Sequence, residues 1–205
     1  MRYNERDRRR WLIDRDKGTA LLPSKRPVPG IVRFLIDIVE TLALAAIIFV
    51  AVRVLVRNFW IEGSSMEPNL HHGQYLLIAR FSYWFHPPRR GDVIVFASPF
   101  AQGRDLIKRV VGLPGEQIEI KEGRVFVDGH PLDEPYARPI PYAGGPWTLQ
   151  EDQVFVLGDN RGFSQDSHRW GPLQVEQIIG KAWFCYWPPS AWALVPHDSF
   201  DEGKQ

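Results

Sequence analysis

One apolar run constrains this chain more than any other feature. From Ile31 to about Val56 the sequence turns apolar, and Leu42 to Val52 carries no polar side chain at all. At a rise of about 1.5 Å per residue, roughly 20 residues cross a hydrocarbon core, and Phe34 to Val52 suffices. Asp37 and Glu40 lie one helical turn apart near the N-terminal end, where headgroups would meet them. A buried helix of a soluble domain is the competing reading. Lys and Arg crowd the N-terminal side, with Arg8-Arg9-Arg10 and Lys25-Arg26, and only Arg53 and Arg57 follow directly after the run. The positive-inside rule then puts the N-terminus in the cytoplasm and residues 58 onward on the outer face. The run is too long for a cleaved leader, starts too late and contains acids, so it reads as an uncleaved signal anchor of a single-pass protein in the cytoplasmic membrane.

That anchor divides the 205 residues. Residues 1–30 are polar and Arg-rich and end in the breaker Pro27-Val28-Pro29-Gly30, which reads as a disordered basic tail. Residues 31–57 are the anchor, 58–190 one domain, and 191–205 a short exposed tail. Beyond residue 60 the pattern becomes strand-like. Tyr75–Ala79, Asp92–Phe96, Leu106–Val111, Gln117–Ile120, Arg124–Val127, Gln153–Leu157 and Gly180–Trp187 are short β-rich runs. Turn signals at Arg90-Gly91-Asp92, Leu113-Pro114-Gly115, Glu122-Gly123 and Asp128-Gly129 bound them. Ile118–Val127 reads as a hairpin, and the Pro- and Gly-rich residues 131–148 as a long loop. Many short strands with few helical patterns predict a mainly β domain, an antiparallel sheet or barrel-like core.

Composition removes several functions. A formal net charge of +1 supplies no field for nucleic acid. A lone cysteine, Cys185, excludes an internal disulfide and a Cys-based zinc site, and no His pair has helical metal spacing. No metal or cofactor is expected. Of the eight Trp, four stand in three aromatic clusters. Phe59-Trp60 and Phe81 with Tyr83-Trp84-Phe85 are expected to meet lipid. Trp183-Phe184 with Tyr186-Trp187 is expected to pack in the core.

Chemistry centres on Glu62-Gly63-Ser64-Ser65-Met66-Glu67-Pro68-Asn69-Leu70, directly after the apolar run. Ser65 in this tight turn is a candidate nucleophile, and a serine hydroxyl needs a base. His168 beside Asp166 is one candidate base. Lys108, within the hydrophobic run Leu106–Val111, is another, because desolvation lowers a lysine pKa. A strand lysine also commonly snorkels to solvent. The polar, Gly-punctuated stretch Leu157–Gly171 could hold a base in place or simply turn the chain.

Taken in order, residues 62–70, Arg90–Phe96, Lys108-Arg109-Val110-Val111-Gly112-Leu113-Pro114-Gly115-Glu116, Asp128–Tyr136 and Gly158-Asp159-Asn160-Arg161 with Ser164 and Asp166 resemble the sequence boxes of type I signal peptidases. The resemblance covers about residues 35–190. It implies Ser65 as nucleophile, Lys108 as general base, Ser164 orienting that lysine, an Asp159–Arg109 ion pair, and Asp166 as a structural acid. It also implies pockets for small side chains, lined by Ile61, Met66, Leu70 and Ile107, with a signal peptide pairing along Leu106-Ile107-Lys108. The partners would be exported preproteins and membrane lipid. The sequence departs from the family where Gly63 replaces a frequent second serine that helps bind the oxyanion, where Gln74 replaces a common Asp, and where His168 replaces a frequent Arg. A membrane-tethered β-domain that binds partners without catalysis is the rival reading.

Overall fold

The computed structural model describes residues 30–100 and 103–197, so the readings of residues 1–29 and 198–205 lie outside the described residues. Helix α1, Gly30–Leu55, runs 26 residues, about 39 Å at the helical rise. Every side chain from Gly30 to Val54 is exposed, and an 18-residue window has a mean hydropathy of 2.5. A helix that is apolar on all sides from Leu42 to Val52 and has no buried face matches lipid rather than a soluble core.

The rest of the described chain is mainly strand. In order these are β1 (Val56–Trp60), β2 (Tyr75–Ala79), β3 (Val93–Ala97), β4 (Asp105–Gly112), β5 (Gln117–Lys121) and β6 (Arg124–Val127). They continue as β7 (His130–Pro131), β8 (Gly144–Thr148), β9 (Gln153–Leu157), β10 (Leu173–Gln174), β11 (Ile178–Trp187) and β12 (Ala193–Leu194). A four-residue helix, α2 (Ser167–Trp170), lies between β9 and β10. Eight strands form one sheet in the order β1-β2-β11-β3-β4-β9-β10, with β12 on β11. Four form a second, β7-β6-β5-β8, and every pairing is antiparallel. The expected fold class is the one observed.

Local chemistry explains most of the strands. β3 sits inside the large sheet, and Val93-Ile94-Val95-Phe96 are fully buried, as a continuous apolar run requires of a strand covered on both faces. β5 and β6 form the expected hairpin. Its turn residues Glu122 and Gly123 have φ of 52° and 73°, the left-handed pair that matches strand twist.

Three expectations need correction. Residues 131–148 are not all loop, because Gly144–Thr148 pairs with β5 as β8, and Trp147 packs on Phe155 at 4.8 Å between ring centroids. The third aromatic cluster is not core, because Trp183 and Trp187 are each 52% exposed on β11. Its inward positions are taken by the smaller Ala182 and Cys185. Residues 191–197 are not a free tail. Val195 is buried, and the His197 ring accepts from the Val93 N–H at Nδ1 (3.2 Å) and donates from Nε2 to the Ala182 carbonyl (2.8 Å). Burial, helped by the Lys181 charge, pushes that imidazole down to about 4, so it stays neutral in this role.

Candidate active site

β1 leads into a turn over residues 62–70 that is pinned from below. Met66 and Leu70 are buried in a cluster with Ile61, Leu76, Ile78, Val93, Val95 and Ile107. The Leu70 and Asn69 N–H groups both donate to the Met66 carbonyl (2.9 and 3.1 Å), which closes a helical turn. Ser65 stands half-buried one residue before the Met66 anchor. A second element grips it from the side. The Asn160 N–H donates to the Ser65 carbonyl, and Asn160 Nδ2 to the Ser64 carbonyl, both at 3.0 Å. Among the described residues the Ser65 N–H has no acceptor. At Gly63 a Cβ would meet nothing within 4 Å, but with φ at 90° the backbone there disfavours any residue other than glycine.

Lys108 comes from β4, opposite Ile94 of β3. It does not snorkel: the side chain is 3% exposed, and Nζ lies 2.7 Å from Ser65 Oγ and 2.8 Å from the Ile107 carbonyl oxygen. Burial is the main influence on the amine and brings it down to about 8, against the opposing pull of the Asp166 and Asp159 charges. A neutral amine at that distance is placed to accept a proton from the hydroxyl. The other candidate base points elsewhere: His168 directs Nδ1 to Asp166 Oδ1 at 2.5 Å and stacks on Tyr142.

The supporting residues divide into two buried ion pairs and one cap. Arg109 reaches Asp159 through two hydrogen bonds, 2.9 and 2.8 Å, and also donates to the Gly91 and Pro196 carbonyls. Arg161 makes a second forked pair with Glu134, at 2.9 and 2.6 Å, and Tyr136 donates to the same carboxylate. Asp166 accepts from the Gly158 N–H at 2.9 Å and caps α2. Burial alone would raise the Asp166 pKa, but hydrogen bonds from His168 and the Gly158 N–H outweigh it and hold the carboxyl below its usual range. The Ser164 hydroxyl is buried beside Asp166 but closes no hydrogen bond of good geometry, and Nζ of Lys108 is held by Ser65 and Ile107 instead. Sequence reasoning overlooked the connectors. Asn69 donates to the Tyr136 carbonyl (2.9 Å) and to Asp159 Oδ2 (2.7 Å), joining the nucleophile turn to the Arg109 pair. Asn69 and Asn160 both stand inside quoted boxes, but an amide side chain does not announce its partner.

Gly158 is required by close approach. A Cβ there would lie 2.3 Å from Ser164 Oγ and 2.5 Å from the Ser65 carbonyl oxygen. Gly158→Ala is therefore expected to displace Ser65 and lower kcat by about 10²-fold or more, because misplacement by about 1 Å is that costly. Steady-state kinetics check this, and wild-type kcat in that variant would refute the packing role.

A cleft of about 250 Å³ opens over the pair. Leu106 and Ile107 line it with Ser65, Lys108, Phe59, Trp60, Phe100 and Gln165. Ile61, Met66 and Leu70 lie in the core cluster that includes Ile107. β3 pairs with β4 along Asp105–Arg109, whereas β9 pairs with β4 only from Arg109 onward. Among the described residues the other edge of Asp105–Lys108 thus carries no strand beside the cleft. A larger cleft, about 510 Å³, lies on the second sheet around Arg124, Pro131 and Ile140, away from Ser65. Among the described residues no cluster of metal-binding side chains occurs.

Comparison with known proteins bears on this geometry. A family described as signal peptidase, peptidase S26, matches residues 35–187. A probable signal peptidase I-1 of Synechocystis sp. is 41% identical over 183 residues, covering 85% of this chain and 93% of that protein. A signal peptidase I of Leptolyngbya laminosa is 37% identical over 185 residues, covering 84% of this chain and 91% of its own. A signal peptidase I of Bacillus caldolyticus is 40% identical over 146 residues, covering 64% of this chain and 79% of its own. The matched span takes in the Ser65 turn, the buried lysine and both carboxylates around them, and the chain belongs to the signal peptidase family, peptidase S26.

Proposed function

We propose that this protein is a membrane-anchored signal peptidase I that removes signal peptides from exported preproteins, with Ser65 as nucleophile and Lys108 as general base. The observation that carries the reading is the 2.7 Å contact between Nζ of a buried lysine and the Ser65 hydroxyl. In the reactive state Lys108 is neutral and accepts the Oγ proton as Ser65 attacks the scissile carbonyl. The Ser65 N–H is the donor available to the oxyanion, with water in the open space at Gly63 as the second. Lys108 then protonates the leaving amine, and the same amine activates the water that releases the acyl-enzyme. Asp159, Arg109 and Asp166 hold this arrangement rather than touch the substrate.

The preprotein enters as an extended strand against the open edge of Asp105–Lys108, a β-augmentation. Small side chains before the cut, of Ala-x-Ala type, fit against Leu106 and Ile107 and the buried Ile61, Met66 and Leu70. Residues 31–57 anchor the enzyme, the N-terminus is cytoplasmic, and residues 58–190 form the catalytic domain on the outer face. The exposed Phe81, Trp84 and Phe85 suit a lipid interface, as do Trp183 and Trp187. Sharing a membrane with the substrate raises the effective concentration of both.

The test is the pH dependence of cleavage. With the amine brought down to about 8, kcat/KM for an Ala-x-Ala preprotein should rise with pH and level off above about 8. The deprotonated lysine is the active form, which sets the sign. A rate that is flat from pH 6 to 9 would remove Lys108 as the base.

A further inference from the structure

β3 and β11 are neighbours in the large sheet, with Ile178 opposite Phe96, Gly180 opposite Val95 and Lys181 opposite Ile94. One step further along both strands Ala182 would face Val93, and the His197 imidazole stands at that step. It accepts from the Val93 N–H at Nδ1 (3.2 Å), and its Nε2–H donates to the Ala182 carbonyl (2.8 Å). The partners fix the tautomer, because a backbone N–H only donates and a carbonyl only accepts. Val93 and Ala182 are both fully buried, where an unpaired backbone group is costly. The ring thus carries the hydrogen bonding of the ladder from one backbone to the other.

The residues just before His197 lead to the site. The Pro196 carbonyl accepts from Arg109 Nη1 (3.0 Å), and Val195 is buried in the cluster that holds Met66, Leu70 and Ile107. Arg109 lies opposite Val93, next to Lys108 on β4, and grips Asp159, which accepts in turn from Asn69 of the Ser65 turn. We propose that His197 is a positioning residue for the Ser65–Lys108 pair: by bridging β3 to β11, its imidazole seats Val195 in the cluster that pins the Ser65 turn and the Pro196 carbonyl on Arg109. Burial and the Lys181 charge both favour the neutral ring that this bridge needs.

This inference rests on the Ser65–Lys108 reading, and the experiment keeps the two apart. The full-length enzyme in detergent is assayed for kcat, KM and the thermal unfolding midpoint as wild type, His197→Ala, His197→Gln, Val125→Ala and Lys108→Ala. His197→Ala should lower kcat about tenfold or more with KM little changed, because a misplaced pair reacts slowly. His197→Gln, whose amide offers one acceptor and one donor, should recover most of that loss. Val125 is buried on β6 of the second sheet, so Val125→Ala should lower the midpoint and leave kcat as in wild type. Wild-type kcat in His197→Ala, a glutamine variant no faster than the alanine one, or an equal kcat loss in Val125→Ala overturns the proposal. A second readout does not depend on activity. Nitrogen NMR of ring-labelled wild type should show a histidine locked as the neutral Nε2–H tautomer at about pH 5.5, where a free imidazole is mostly charged. That signal should be missing from His197→Gln, and a wild-type spectrum without it overturns the bridge. Cleavage retained in Lys108→Ala instead overturns the dyad, while the ring tautomer judges the bridge on its own.

Discussion

Ser65→Ala and Lys108→Met should each reduce preprotein cleavage to background, a fall of about 10⁴-fold or more, while the domain stays folded. The double variant should be no worse than either single one if Ser65 and Lys108 act as a unit. The two variants differ in stability. A lysine whose pKa is about 8 when folded and 10.5 when exposed binds fewer protons in the native state between those values. Stability of the wild type therefore rises with pH across that window, and below it the cost of burying the ammonium is fully present. Lys108→Met removes that cost. It should be inactive yet more stable at pH 7 by up to ~3 kcal/mol, with the advantage shrinking as pH approaches 10.5. Ser65→Ala leaves the lysine in place and gains nothing comparable. Denaturant unfolding of both variants at pH 7 and pH 10 checks the pattern. Cleavage that survives in Lys108→Met but is lost in His168→Ala would return the base to His168.

A stability cost of this kind at a site of chemistry is where local rules are expected to fail. It also marks the limit of what the sequence disclosed. The anchor was legible because a run with no polar side chain from Leu42 to Val52 has few folded alternatives. The hairpin at Glu122-Gly123 was legible because its turn needs two residues with positive φ. Lys108 was half-legible: its apolar neighbours on β4 were visible, but strand alternation cannot say whether a lysine reaches water. What decides it is Ser65, far away in sequence, whose hydroxyl lies 2.7 Å from the amine. β8 was missed because Gly144-Gly145-Pro146 signals a turn, and what overrides it is Trp147 packing on Phe155. The His197 strap was missed for a similar reason. A lone histidine in a polar tail carries no sign that both its nitrogens find backbone partners on β3 and β11.

Removing one member of the Arg109–Asp159 pair should damage both fold and turnover. Asp159 is completely buried and Arg109 is 1% exposed, so Asp159→Ala removes the carboxylate that a buried guanidinium grips through two hydrogen bonds. Such losses cost about 3–5 kcal/mol. Arg109 keeps its donors to the Gly91 and Pro196 carbonyls and its stacking on Tyr136 at 4.2 Å. The side chain therefore stays in place, and the loss is mainly electrostatic. Arg109→Met strands the carboxylate in the same way. Replacing both at once, as Arg109→Met with Asp159→Leu, should be less destabilising than either single change, because no isolated charge remains and a buried pair adds little net stability. Activity should not follow stability back. Asn69 donates to Asp159 Oδ2, and through Asn69 the pair steadies the turn that carries Ser65. The double variant should therefore melt nearer the wild type but cleave at least tenfold more slowly. Unfolding curves and kcat measured on the same four proteins decide this. Additive stability losses would show that each residue acts through separate contacts. A double variant with wild-type kcat would show that the pair supports the fold alone and leaves the nucleophile turn to Asn160.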